Sequence, residues 1–140
     1  MKLLDTSVVV DIDRGGIDRK VHKLDDQGRH LLSMVTVTEL RLGVDLQHEA
    51  GTEAHKSAME QLDRLLARFD IQPISRSVAT SAAELIATLR AQGQRLDDLY
   101  VYIGATARTR QLPVITANVD DFERMNGVNS PQSQAPGQSP

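Results

Sequence analysis

"KLLDTSVVVDIDRGG", residues 2–16, decides how the chain folds. A short apolar run, Lys2–Leu4, stops at Asp5, and Asp5-Thr6-Ser7 leads into a second apolar run at Val8–Val10. Asp, Thr and Ser accept hydrogen bonds from the free N–H groups of a helix's first turn, so this order predicts a strand that ends in a capped helix. Gly15-Gly16 is expected to close that helix. The unit then recurs. Leu31–Val35 reads as a second strand, with Thr36 or Thr38 capping a helix that runs from about Val37 to Glu49. Residues 52–68 carry Leu62, Leu65 and Leu66 at helical intervals, with Phe69 just beyond. Ile71–Ile74 is a third strand, in which Pro73 favours an end or an edge. Ser75–Gln92 predicts an Ala-rich amphipathic helix closed by Gly93, and residues 99–110 a helix with a small-residue face at Gly104, Ala105 and Ala107. Pro113–Ile115 is a fourth strand, and a short helix over about Val119–Met125 ends at Gly127. Strands alternating with helices predict an α/β domain with a mainly parallel central sheet, whose sites form at the carboxyl ends of strands.

The 140 residues suit one domain, placed at residues 1–128. The remainder, "NSPQSQAPGQSP" over residues 129–140, is too polar to bury enough surface, and a disordered low-complexity tail is expected there. There are no cysteines, so disulfides and thiolate metal sites are excluded. No apolar run approaches the ~20 residues that cross a bilayer, and a cytoplasmic protein is expected. Sixteen basic against 19 acidic residues leave a net charge of -3, so bulk charge does not attract nucleic acid and any such site must be local. With 3% aromatics and no Trp, base-stacking platforms are not expected. Arg14, Arg19, Lys20 and Lys23 cluster at the expected rim of the site, where an RNA backbone contact and a solvated helix face are equally good readings. Arg41 is a candidate for orienting a carboxylate or touching phosphate. His22, His30, His48 and His55 are scattered through polar or helical contexts and are not expected to act.

Acids and amides recur where strands end. Asp5 closes the first strand, Glu39 follows the second by one helix start, and Asn118 and Asp121 follow the fourth. Singly each has a plain explanation: Asp5 as a helix cap, Glu39 as a capping-box partner of Thr36, Asp121 as a first-turn acid. Together they point elsewhere. Converging carboxylates repel one another and raise one another's pKa unless a cation sits among them. Hard divalent ions, Mg²⁺ or Mn²⁺, bind through one or two carboxylates plus water, and the chemistry that follows is metal-assisted phosphodiester hydrolysis.

The chain resembles PIN-domain ribonucleases, in particular the VapC-type toxins of toxin–antitoxin pairs. The resemblance spans about residues 2–128. "LDTSVVVDIDRGG" is similar to the family's first motif, which implies a metal ligand at Asp5 supported by Thr6 and Ser7. "SMVTVTELRLGV" resembles the second and implies Glu39 as the second acidic ligand. "YIGATARTRQLPVITANVDDFERMNGV" resembles the third and fourth, and implies Asn118 and Asp121 as completing the site, with Thr116 in support. The resemblance further implies a PIN-like α/β/α sandwich, Mg²⁺ or Mn²⁺, an RNA substrate, a cognate antitoxin and a homodimer, for which the 52–69 helix offers an apolar stripe. Two departures stand out. The family's third motif carries an Asp three residues before the Ile of Ile-Gly-Ala-Thr-Ala, and here that register position is Tyr100. The family also commonly closes with a further short strand, where this chain has its polar tail. A tyrosine hydroxyl is neutral near pH 7 and a poor ligand for a hard cation. Asp97, one helical turn earlier, is the candidate replacement; Asp98 is not on that face, and either residue is also a plain helix cap. The competing functional readings are a catalytically impaired PIN-like module that binds antitoxin or RNA, and a PIN nuclease of RNA maturation.

Overall fold

A computed structural model describes residues 1–13 and 29–129. Four short parallel strands form one sheet: β1 (Leu3–Leu4), β2 (Leu31–Ser33), β3 (Asp70–Gln72) and β4 (Val114–Ile115), in the order β3-β2-β1-β4. The described helices are α1 (Thr6–Asp13), α2 (Met34–Gln47), α3 (Glu53–Leu66), α4 (Arg76–Ala91), α5 (Asp98–Arg110) and α6 (Val119–Glu123). This is the expected α/β sandwich. None of the described helices is long and apolar enough to cross a membrane.

Alternation along the strands sorts the core into two faces. Leu3, Leu31 and Val114 pack on one side with Val78, Leu85 and Leu89 of α4, Val101 and Ile103 of α5, and Phe122 of α6. Leu4, Leu32 and Ile115 pack on the other with Val8 and Val9 of α1, Leu65 of α3 and Phe69. The registers Leu3↔Leu31, Leu3↔Val114 and Leu4↔Ile115 keep equivalent residues on the same face. The chain moves outward from β1 through β2 to β3, then returns to the opposite side of β1 with β4. The connections therefore diverge at β1 and β4, and a crevice opens at the carboxyl ends of those strands. Asp5 lies at its floor.

Several boundaries differ from the sequence reading. Strand β2 stops at Ser33 and α2 begins at Met34, so neither Thr36 nor Thr38 is its cap. Ser33 caps it instead, its Oγ accepting from the Val35 N–H at 3.1 Å. The sequence misleads because Met34–Val37 is apolar and β-branched, which suits a buried strand as well as a buried helix turn. Strand β3 covers Asp70–Gln72 rather than Ile71–Ile74, and Pro73, which has no N–H to give a ladder, falls just outside. The 52–69 helix uses Leu62 and Leu65 for the core, so its stripe is internal; among the described residues the most exposed large apolar side chains are Leu46 (77%) and Leu42 (52%) of α2. Asn129, where the tail was placed to begin, accepts a backbone bond from Val114 at 2.8 Å. Gly15-Gly16, the basic group Arg14, Arg19, Lys20 and Lys23, His22, and the tail from Ser130 onward lie outside the described residues.

Candidate active site

The site is built around Thr6, the first residue of α1. Its backbone N–H donates to Asp5 Oδ1 and its hydroxyl donates to Glu39 Oε1, both at 2.7 Å. One residue thus joins the acid at the end of β1 to the acid on α2, 33 positions away. The Thr36 hydroxyl lies 3.0 Å from that of Thr6. A hydroxyl has one proton, and with Thr6's given to Glu39, Thr36 closes the contact by donating its own. Thr36 is fully buried, and its place here replaces the capping-box pairing with Glu39 that the sequence suggested.

Asp5 is 1% exposed and well provided with donors. Its Oδ2 accepts from Ser7 Oγ at 3.0 Å and from Thr116 Oγ1, beyond β4, at 2.8 Å. Thr116 in turn accepts from the Asn118 N–H at 2.9 Å, which ties the loop after β4 to the acid after β1. Burial pushes the Asp5 pKa above its ordinary value, against the pull of these hydrogen bonds, and the negative charge of Asp121 adds to the rise. Glu39 is raised as well, first by burial and further by the charges of Asp5 and Asp97, with the Thr6 bond opposing.

Tyr100 sits among these acids. Its hydroxyl accepts from Asn118 Nδ2 at 2.7 Å, and its ring meets the buried Phe122 ring edge-on, centroids 5.7 Å apart. Burial raises its pKa, and the charges of Asp5, Asp121, Glu39 and Asp97 raise it further. The register position expected for a third acid is therefore at the site and is occupied by a neutral phenol. Asp97 is the N-cap of α5, exposed, with Oδ1 accepting from the Leu99 N–H at 2.9 Å. It acts on the site through its charge while serving as the cap.

Two clefts share this edge. One, of about 340 Å³, is lined by Asp5, Thr6, Ser7, Val10, Asp11, Glu39 and Tyr100. The other, of about 370 Å³, is lined by Asn118, Asp120, Asp121 and Arg124 with their neighbours. Asp121 thus borders the second cleft, half-buried and 4.0 Å from Arg124. Arg41 is turned to solvent and bonded to Asp45, away from Glu39. Asp11 is the acid that the sequence reading missed. Its signal was present, since Ser7 and Asp11 are four apart on α1 and so share a face.

The donor chemistry suits a hard divalent ion: carboxylate oxygens, two of them held by one threonine, with pKa values raised by burial and by neighbouring carboxylates. Among the described residues, however, no three acidic or histidine side chains come close enough to form a ready ligand group. The fit is that of a carboxylate pair completed by water, rather than four converging acids.

A parallel sheet between two layers of helices, with paired acids at the carboxyl edge of its first strand, defines an α/β domain with an acidic site. The chain belongs to the PIN domain family, whose sequence profile matches residues 2–128. It is similar to Ribonuclease VapC5 of Mycobacterium tuberculosis, 31% identical over 128 residues that cover 91% of this chain and 90% of that protein. Among solved structures it resembles FitAcB from Neisseria gonorrhoeae, at 30% identity and a TM-score of 0.76, covering 93% of this chain and 96% of that one. It also resembles VapBC-5 of Mycobacterium tuberculosis, a member of the VapBC family of toxin–antitoxin systems, at 27% identity and a TM-score of 0.62, covering 91% and 92%.

Proposed function

We propose that the protein is a divalent-metal-dependent endoribonuclease, the toxin of a toxin–antitoxin pair, acting on RNA in the cytoplasm as a homodimer. The observation that carries this reading is the Thr6 bridge, which holds the Asp5 and Glu39 carboxylates in one cleft at the carboxyl edge of the sheet. Asp5 and Glu39 would hold Mg²⁺ or Mn²⁺, with Asp121 and Asp97 adding negative charge and Asn118 positioned beside them. Such an ion lowers the pKa of its bound water and neutralises charge on the phosphate. Thr116 and Ser7 fix the rotamer of Asp5. Thr6 fixes that of Glu39, and Asn118 holds the edge of the cleft through Tyr100. The exposed Leu42 and Leu46 of α2 supply an apolar surface that supports a protein partner, the antitoxin.

A second reading, a silent module that binds RNA or antitoxin without cutting, is favoured by two observations: Tyr100 stands where the third acid is expected, and no three-acid group is present among the described residues. The deciding experiment incubates the protein with a mixed-sequence oligoribonucleotide in Mg²⁺, Mn²⁺ or EDTA, beside Asp5→Asn and Glu39→Gln. Metal-dependent cleavage that both substitutions abolish supports the enzyme. No cleavage in either ion leaves the silent module. Sedimentation showing only monomer at micromolar concentration would contradict the homodimer.

A further inference from the structure

We infer that the Tyr100 hydroxyl donates a hydrogen bond to a non-bridging oxygen of the scissile phosphate, so that this chain meets its substrate with a neutral donor at the position of a third carboxylate. The inference rests on the ribonuclease reading and deepens it.

The geometry leaves the phenol proton available. A tyrosine hydroxyl offers one proton and accepts through its lone pairs. Asn118 Nδ2 donates to one lone pair of the hydroxyl oxygen at 2.7 Å, so the hydroxyl's own proton is directed elsewhere. Among the described residues the hydroxyl makes no hydrogen bond as a donor. The ring cannot readily swing away, because it stands edge-on to Phe122, which is fully buried in the core. Tyr100 also lines the cleft that holds Asp5, Asp11 and Glu39.

Charge says what the proton is for. A phosphodiester entering that cleft is an anion among carboxylates. A fourth carboxylate at residue 100 would repel it unless a further cation intervened, whereas a phenol adds no charge and offers a donor. A phenol keeps its proton across neutral pH by its ordinary pKa, and partial burial of Tyr100 acts in the same direction. A hydrogen bond to an anionic oxygen is roughly twice as strong as one between neutral groups. A bond of that kind formed on the phosphate, and strengthened as charge develops on its oxygens, accelerates the reaction.

The test compares wild type with Tyr100→Phe, which removes the oxygen and keeps the ring. Substrates are the mixed-sequence oligoribonucleotide and versions with one Rp or Sp phosphorothioate at the cleaved bond. Tyr100→Phe should keep its circular dichroism spectrum and lower kcat by on the order of tenfold to a hundredfold, with KM little changed. Sulfur accepts hydrogen bonds poorly, so one diastereomer should be slow for wild type, and the phenylalanine variant should lose much of that penalty. A merely structural role would slow all three substrates alike, and that result overturns the inference. So does wild-type kcat in Tyr100→Phe. A wild type that cleaves no RNA in either ion refutes the ribonuclease reading itself, an outcome distinct from both.

Discussion

Replacing Thr6 by valine removes one oxygen and keeps the shape of the side chain, so it isolates the bridge between the two acids. Two losses follow. Glu39 forfeits a 2.7 Å hydrogen bond to its carboxylate, a class of bond worth about 1.5–3 kcal/mol. Thr36, fully buried, loses the oxygen it donates to, and an unsatisfied buried hydroxyl costs about 1–3 kcal/mol. Valine leaves no cavity, and local rearrangement recovers part of the loss, so the expected destabilisation at pH 7 is about 2–4 kcal/mol. For a domain of this size that lowers Tm by roughly 10 °C. The pH dependence makes the argument specific. The folded pKa of Glu39 is raised, chiefly by burial, and the Thr6 bond holds it back. An acid with a raised folded pKa loses stability for the fold as pH climbs from its unfolded value through its folded one. Without Thr6 the folded value rises further, so the variant should lose more stability than wild type between the ordinary carboxylate range and neutrality. At pH 4, with Glu39 largely protonated, the same bond is a neutral one worth about 0.5–1.5 kcal/mol, and the penalty should shrink. Urea unfolding at pH 4 and pH 7, with Thr6→Ser as the variant that keeps the oxygen, measures this. A Thr6→Val protein as stable as wild type at pH 7, or one equally weakened at both pH values, would refute the reasoning.

Asp5→Asn should abolish cleavage yet stabilise the metal-free protein at pH 7, because the buried Asp5 carboxylate has a raised pKa and burdens the fold once ionised; equal or lower stability in urea would count against a strained acid. Tyr100→Asp should tighten Mn²⁺ binding by roughly tenfold or more in titration calorimetry, since it adds a charged ligand beside Asp5 and Glu39, while Asp97→Asn changes affinity little. The opposite pattern would make Asp97 the working ligand. Gly104→Ala should cost about 1 kcal/mol in thermal unfolding: the helix-propensity gain is about 1 kcal/mol, but the new Cβ overlaps the Sδ of the buried Met125 and overpacking costs about 1–3 kcal/mol. A stabilised variant would mean that Met125 moves aside freely.

The sequence by itself determined the order of elements and the family. Its apolar runs, its helix starts at Thr52 and Ser75, where the structure finds side-chain caps, and its glycine at Gly93 are local signals, and local physics decided the outcome there. Asp5, Glu39, Asn118 and Asp121 could be picked out as candidates because each follows a strand's carboxyl end, and a parallel sheet gathers those ends on one edge. Where two local readings competed, packing chose. Val35 and Thr36 suit strand or helix equally, and the helix won because Ser33 caps it and Thr36 reaches Thr6. Only the tertiary structure joined Thr6 to Glu39 and Tyr100 to Asn118, contacts spanning 33 and 18 residues. It also separated Asp121 into a neighbouring cleft and kept Asp97 as a cap. A hydrogen bond is decided within about 3 Å, and spacing along the chain cannot fix the relative placement of two elements to that tolerance; the packing of both faces of the sheet does.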